Sequence, residues 1–444
     1  MPFPTVALTR IIAPPTYFRA RPASISCPWP SMLISPLSLR LPQPRYHAFL
    51  ASIASSFSKP PKFSQPSKPS KPLSFSSSHP TIILPRAMSQ ATPSAAGTPD
   101  EPQGHTPPLN QHLNIVALET FFTPLPPLII PKPYTYSLTE YDRSSAAQVA
   151  ERIKDADIVI STVVPIRGAA LEPENSPRLR LIAAMASGTD SIDIKACAER
   201  GVRVLNSPNC NTVALAEHVA SMYLSTRRSL MPVMRAMCRG EWGLKGSVMT
   251  AAYTAGVPPR SCRDETVGII GYGGVGQAVA KILGALGMQT IVSGRRGQSD
   301  QAALAAQGRV TFEEVLQRAS VIVVCCPLLP ETKGLIGEHE FAQMQPDTIL
   351  INVARGGIVN EEALVGALRS GRIAGAGVDV FDHEPATPQS SPVVAAAATG
   401  DLNLIATAHT AWVAASTRAN YQRVVQENVE RFIRGNVDTE RVKA

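Results

Sequence analysis

Val267-Gly268-Ile269-Ile270-Gly271-Tyr272-Gly273-Gly274-Val275-Gly276 is the stretch on which the fold turns. Its first four residues read as a buried strand, which runs into a Gly-x-Gly-x-x-Gly turn. A helical pattern from Gln277 to Leu286 follows, then a second strand, Met288 to Ser293. Strand, glycine turn, helix and strand in this order make a dinucleotide-binding unit. Gly271 permits the tight turn, Gly273 lets a pyrophosphate approach the backbone, and Gly276 lets the helix pack closely. The helix N-terminus adds unpaired N–H groups and a favourable dipole. The second strand normally ends in an acid that holds the adenosine ribose of NAD. Here it ends in Gly294-Arg295-Arg296, placing two cations beside a 2′-phosphate and favouring NADP(H) over NAD(H).

Outward from this unit, short apolar runs alternate with helical patterns. Strands are expected at 113–118, 157–161, 179–184 and 202–205 before it, and at 320–325, 348–353 and 375–380 after it. A helical pattern from Thr212 to Cys238, broken at Pro232, bridges the two groups. Asn360 reads as an N-cap whose helix stops at Gly371. The stretch 385–401 reads as a loop, and 417–433 as a closing helix with Val424, Val425, Val429, Phe432 and Ile433 on one side. The fold class is therefore α/β: two Rossmann-like, doubly wound parallel-sheet domains with a cleft between them, preceded by a disordered leader. The expected division is leader 1–111, first part of the substrate domain 112–217, dinucleotide domain 218–404, and a return to the substrate domain over 405–444.

Charge is distributed unevenly. Residues 1–99 hold ten Lys or Arg and no acid, so the formal net charge of +8 falls to −2 without them (8 − 10). The basic balance thus belongs to a Ser- and Pro-rich leader and gives no argument for nucleic-acid binding. That leader fits either an untargeted tail, for a cytoplasmic protein, or a mitochondrial transit segment, and Met88 is an alternative start. No run of 18 apolar residues calls for a membrane span. The seven cysteines show no metal spacing, so no metal is expected; Cys325 and Cys326 read as small hydrophobes in a buried strand.

Three ionisable residues follow strand patterns. Arg355 comes after Ile351-Asn352-Val353-Ala354, Glu384 lies five residues beyond Asp379, and His409 follows Leu402 to Thr407. Strand ends on one sheet can converge at one rim. Reduction of a 2-oxo acid needs a hydride, which a nicotinamide supplies, a proton for the new alkoxide and a cation for the carboxylate. Imidazole suits the proton, and a carboxylate beside it fixes its tautomer and keeps the proton available. Arginine presents a planar fork to the carboxylate. Arg355, Glu384 and His409 are the catalytic candidates. Of the other histidines, His47, His79, His105 and His112 lie in or beside the leader, His383 shares the loop of Glu384, His339 sits in a polar helix start, and His218 in the bridging helix reads as structural.

Several further stretches carry a family likeness: Ala186-Ser187-Gly188-Thr189-Asp190 with Asp193, Asn206 to Thr212 with Ala216-Glu217-His218, Pro327 to Ile336, and Asn352 to Gly357. Over 113–436 the chain resembles the D-isomer-specific 2-hydroxyacid dehydrogenases. The resemblance implies that Arg355 holds the substrate carboxylate and carbonyl, that His409 is the general acid in reduction, and that Glu384 pairs with it. It implies substrate contacts from Ser187 and Gly188. Cofactor contacts would come from Gly271, Gly273, Gly274, Val275, Gly276, Arg295, Arg296, Cys326, Pro327, Thr332, Val353, Ala354 and Asp379. It also implies a homodimer. Gly294-Arg295-Arg296 and Trp412 look like the NADPH-preferring glyoxylate/hydroxypyruvate reductases and the glycerate dehydrogenase branch. A small 2-oxo acid, hydroxypyruvate or glyoxylate, is the expected substrate. The alternatives are larger or phosphorylated substrates such as 3-phosphoglycerate, and a dinucleotide-sensing corepressor-like interaction protein. Ala408 stands where the family usually has Pro.

Overall fold

The computed structural model describes residues 109–436 except Ala255; the leader up to residue 108 lies outside them. Leu109, assigned to the leader, instead packs against the first core, because its apolar side chain gains burial there. The first sheet has five strands: β1 (His112–Ala117), β2 (Thr135–Glu140), β3 (Ile158–Ser161), β4 (Leu181–Ala184) and β5 (Arg203–Leu205). They lie in the order β2-β1-β3-β4-β5, all parallel. The second sheet has six: β6 (Thr266–Ile270), β7 (Gln289–Val292), β8 (Val321–Val324), β9 (Ile349–Asn352), β10 (Gly375–Val378) and β11 (Leu404–Ala406). Their order is β11-β10-β9-β8-β6-β7, again all parallel. A hydrophobic cluster fills each face of each sheet, which is why strands such as Val321-Ile322-Val323-Val324 are apolar throughout. Two doubly wound parallel domains are what the strand and helix patterns imply.

Helices fall between strands: α1 (Ala146–Arg152) and α2 (Ile194–Glu199) on the first sheet, then α3 (Thr212–Arg227), α4 (Leu230–Cys238) and α5 (Glu241–Lys245) in the crossing segment. The second unit adds α6 (Gly274–Ala285), α7 (Gln301–Ala306), α8 (Phe312–Arg318), α9 (Glu338–Phe341), α10 (Glu361–Arg369) and α11 (Pro392–Thr399), before α12 (Ala415–Ile433). α12 returns to the first sheet, burying Tyr421, Val425, Val429, Phe432 and Ile433 against β1, β3 and β4.

Three expectations are corrected. The bridging pattern breaks at Ser229 (φ +47), not at Pro232. Pro232 lacks the N–H that would bond to Arg228 and its ring would collide with that carbonyl, so the chain turns first and the proline sits in the opening turn of α4. The stretch 385–401 is not all loop: Ser391 accepts from Val394 N, Pro392 opens α11, and Gly400 (φ +68) closes it. The boundaries expected at 217/218 and 404/405 cut through α3 and β11. All of α3 lies on the second sheet, where Gly375 and Gly377 of β10 leave room for Thr226 and Met222, and β11 completes that sheet.

The base of α3 is tied down by a buried ion pair. Arg227 Nη2 donates to Glu265 Oε2 at 3.0 Å and to Ser320 O, while Nη1 donates to Asp347 O. Tyr223 Oη adds a bond to Glu265 Oε1. Both charged side chains are almost wholly enclosed, at 5% and 0% exposure, so removing one leaves an uncompensated buried charge. Arg227→Ala should lower unfolding stability by about 3–5 kcal/mol in denaturant titration; a loss below about 1 kcal/mol, the range of surface pairs, would show that the pair carries no such load.

Candidate functional site

The glycine turn lies where strand order reverses, between β6 and β8, at their carboxyl ends. This is where open α/β sheets bind ligands. Gly271 has φ +95, and a Cβ there would overlap the Cys326 amide, so the turn closes directly onto the end of β8. A Cβ at Gly276 would overlap Gly271 O, the close approach that the third glycine permits. Among the described residues Gly273 faces open space, with none of their atoms within 4 Å of where a Cβ would stand. The first N–H groups of α6, from Gly274, Val275 and Gly276, have no side-chain cap. Asn209 Oδ1 is the atom nearest the Cβ position of Gly274, and Thr212 Oγ1, buried and without a hydrogen-bond partner among the described residues, lies 3.6 Å from it. Open space, free amides and an orphaned hydroxyl suit a pyrophosphate.

At the end of β7 the two arginines differ. Arg296 Nη2 is bonded to Glu340 Oε1 at 2.6 Å, and Glu340 is nearly buried while its other oxygen accepts Gly337 N at 2.9 Å. Arg295 is exposed and has no acidic partner among the described residues. A Cβ at Gly294 would press on Leu304, so no acid fits there without a shift. The sequence alone makes the two arginines equivalent, because Glu340 lies 44 residues away.

On the next strand ends, Cys326, Pro327 and Thr332 form one loop. Thr332 Oγ1 accepts Leu329 N at 2.7 Å and donates to Pro327 O at 2.7 Å, holding the loop's shape. Burial pushes the Cys325 thiol up to about 12 and the Cys326 thiol to about 11, so neither supplies a thiolate near neutral pH. After β9, Val353 and Ala354 are buried. Asn352 Oδ1 accepts Ala354 N and its Nδ2 donates to Arg355 O, so one buried amide shapes the loop that carries Arg355.

Arg355 reaches the loop after β4. Its Nε donates to Asp190 Oδ2 at 3.0 Å and its Nη1 to Ala354 O at 2.7 Å. Nη2 lies against Gly188, where a Cβ would overlap it. The Ser187 hydroxyl lies within hydrogen-bond reach of both Ser207 O and Asn211 Oδ1, fixing the same loop. The structure therefore brings Arg355 to Ser187 and Gly188, from opposite sheets.

Glu384 and His409 also meet: His409 Nδ1 is 2.7 Å from Glu384 Oε2. Burial alone would raise the Glu384 carboxyl. The hydrogen bond from His409, the Phe381 N–H and the charges of His409 and Arg355 outweigh it and hold the group below its ordinary value. With Nδ1 on the carboxylate, Nε2 is the ring nitrogen left for a substrate. Asp379 is 1% exposed. Its carboxylate takes the amides of Thr410 (2.9 Å) and Ala411 (3.0 Å) and the Thr407 hydroxyl (2.5 Å), and its carbonyl accepts His409 N at 2.8 Å. The turn beyond His409 carries Trp412, which meets the Phe122 ring edge to face at 6.0 Å.

Among the described residues no helix is long and apolar enough to cross a membrane, and no cluster of His, Cys, Asp and Glu could hold a metal. The family model for the D-isomer specific 2-hydroxyacid dehydrogenase NAD-binding domain matches residues 220–411. The glycerate dehydrogenase of Methylorubrum extorquens is 34% identical over 304 residues, covering 68% of this chain and 91% of that one. A glyoxylate reductase of Pyrococcus furiosus is 36% identical over 239 residues, 54% of this chain and 70% of that one. The NADPH-dependent glyoxylate/hydroxypyruvate reductase of Sinorhizobium meliloti, solved with NADP and malonate, shares 25% identity and superposes with a TM-score of 0.56 over 72% of this chain and 93% of that one. The chain belongs to the D-isomer-specific 2-hydroxyacid dehydrogenase family, NAD(P)-dependent oxidoreductases that interconvert a small 2-oxo acid and its 2-hydroxy acid.

Proposed function

We propose that the protein reduces hydroxypyruvate or glyoxylate to the D-2-hydroxy acid, with NADPH preferred over NADH. The observation that carries the cofactor choice is the end of β7, where no acid stands and Arg295 is exposed and unpaired among the described residues. A ribose hydroxyl would find no carboxylate there, whereas a 2′-phosphate would find a guanidinium. Relatives named glyoxylate reductase, glycerate dehydrogenase and hydroxypyruvate reductase support a small polar substrate.

Bound at the glycine turn, the nicotinamide cofactor supplies the hydride. The protein's residues do the rest. Arg355, steadied by Ala354 O and Asp190, offers its remaining N–H edge beside the Ser187–Gly188 loop, and together they hold the substrate carboxylate. His409 delivers the proton from Nε2 to the nascent alkoxide. Glu384 stays ionised, keeps the ring's other nitrogen occupied and stabilises the charge that the ring carries before transfer. The segment 230–257 exposes Leu230, Met234, Met237, Trp242 and Met249, an apolar face suited to a second copy of the chain.

Steady-state rates with glyoxylate, hydroxypyruvate, pyruvate and a branched 2-oxo acid test the substrate choice. The first two should lead in kcat/KM by about tenfold or more, the effect of about 1.4 kcal/mol; a flat profile would refute it. Arg295→Asp should raise KM for NADPH far more than for NADH, and Arg296→Asp should do less because that side chain is engaged by Glu340. Equal effects on both cofactors would remove the preference. Gly188→Ala should displace Arg355 and raise KM for the 2-oxo acid by about tenfold, with the cofactor KM little changed; an unaltered substrate KM would place the carboxylate elsewhere.

A further inference from the structure

His218 has no part in the chemistry so far, yet it faces the turn that carries His409. It lies in the second turn of α3, with its Nε2 3.1 Å from Thr407 Oγ1. The Thr407 hydroxyl donates its one proton to Asp379 Oδ1 at 2.5 Å, so it accepts from His218, whose proton must sit on Nε2. Nε2 is also 3.9 Å from Asp379 Oδ1.

Asp379 is the anchor of the whole turn. Its side chain and carbonyl take the amides of His409, Thr410 and Ala411 and the hydroxyl of Thr407. His409 has φ +52, a left-handed conformation that costs a β-carbon-bearing residue energy and persists only where its surroundings over-determine it. The preceding residue is Ala408, which brings no backbone rigidity of its own. The hydrogen bonds to Asp379 therefore set the turn, and one of their donors, Thr407, is oriented by His218 across the joint between α3 and β11.

We propose that His218 is a positioning residue for the reaction: through Thr407 and Asp379 it holds the left-handed turn that aims His409 into the cleft. The proposal rests on His409 being the proton donor, and the test separates the two. Purified full-length His218→Ala, His218→Gln, Thr407→Val and His409→Ala variants are compared by steady-state kinetics, NADPH binding by fluorescence, the solvent deuterium isotope effect and thermal denaturation. His218→Ala is expected to lower kcat about ten- to a hundredfold, the scale of a small misplacement of a reacting group. NADPH affinity should change little, and the solvent isotope effect should rise as proton delivery becomes limiting. Gln can donate to the same hydroxyl, so His218→Gln should recover most of the rate. Thr407→Val should reproduce the loss, and the His218→Ala/Thr407→Val double variant should add little to it. Full kcat in His218→Ala, or equal losses in the Ala and Gln variants, would overturn the proposal while His409→Ala remained inactive. Turnover in His409→Ala would instead refute the proton-donor assignment. If His218→Ala fails to fold, His218→Gln and Thr407→Val decide: wild-type kcat in Thr407→Val would overturn the relay.

Discussion

A proton donor of the kind proposed for His409 works only if its ring is held still, and the hydrogen bonds that hold its turn converge on one buried residue, Asp379. Asp379 draws three consecutive amides, those of His409, Thr410 and Ala411, onto its side chain and carbonyl. The two that end on the carboxylate, from Thr410 and Ala411, are charge-assisted and stronger than a neutral bond such as that from His409 N to the Asp379 carbonyl. Together they offset the left-handed backbone at His409, which costs on the order of 1–3 kcal/mol. Glu384 then fixes the ring about its own axis from the other side. The backbone knot and the Glu384 hydrogen bond separate two tasks: Asp379 determines where the imidazole is, and Glu384 determines which nitrogen it presents.

Several such tasks fall to α3 at once. Its N-terminal Thr212 lies against the phosphate turn, His218 meets the loop after β11, Met222 and Thr226 lie over the two glycines of β10, and Arg227 locks into Glu265 below the sheet. The helix begins directly after the segment that carries Asn211, whose side chain lies at hydrogen-bond distance from Ser187. One helix and the residue before it therefore touch the Ser187–Gly188 loop, the glycine turn and the turn that carries His409. Glycine in the middle of β10 would ordinarily weaken a strand; here it lets a helix lie close enough to make those contacts.

Much of this is legible in the sequence, for identifiable reasons. Parallel strands covered on both faces must be continuously apolar, so β3, β4, β8 and β9 stand out, and the glycine turn can be placed to the residue. β2 escapes such a reading because it is an edge strand whose Tyr136, Ser137 and Thr139 are only half-buried and break the apolar run. α11 reads as loop because Ser, Pro and Ala dominate its surroundings; Ser391-Pro392, a cap followed by a first-turn proline, is the available signal. Arg355, Glu384 and His409 can be singled out as candidates because each follows a strand, and the last two meet in the fold. The partners of Arg296 and His218 cannot, since Glu340 and Thr407 are distant in the chain and only tertiary packing brings them near.

The proposed reduction requires that Arg355 and the His409–Glu384 pair face one substrate beside one nicotinamide ring. A crystal structure with NADPH and oxamate, a 2-oxo acid mimic, tests this most directly. The expected result is the Arg355 guanidinium on the oxamate carboxylate and His409 Nε2 within about 3 Å of its amide carbonyl oxygen, with Glu384 still on Nδ1. Oxamate bound away from Arg355, or His409 turned out of the cleft with cofactor in place, would contradict it.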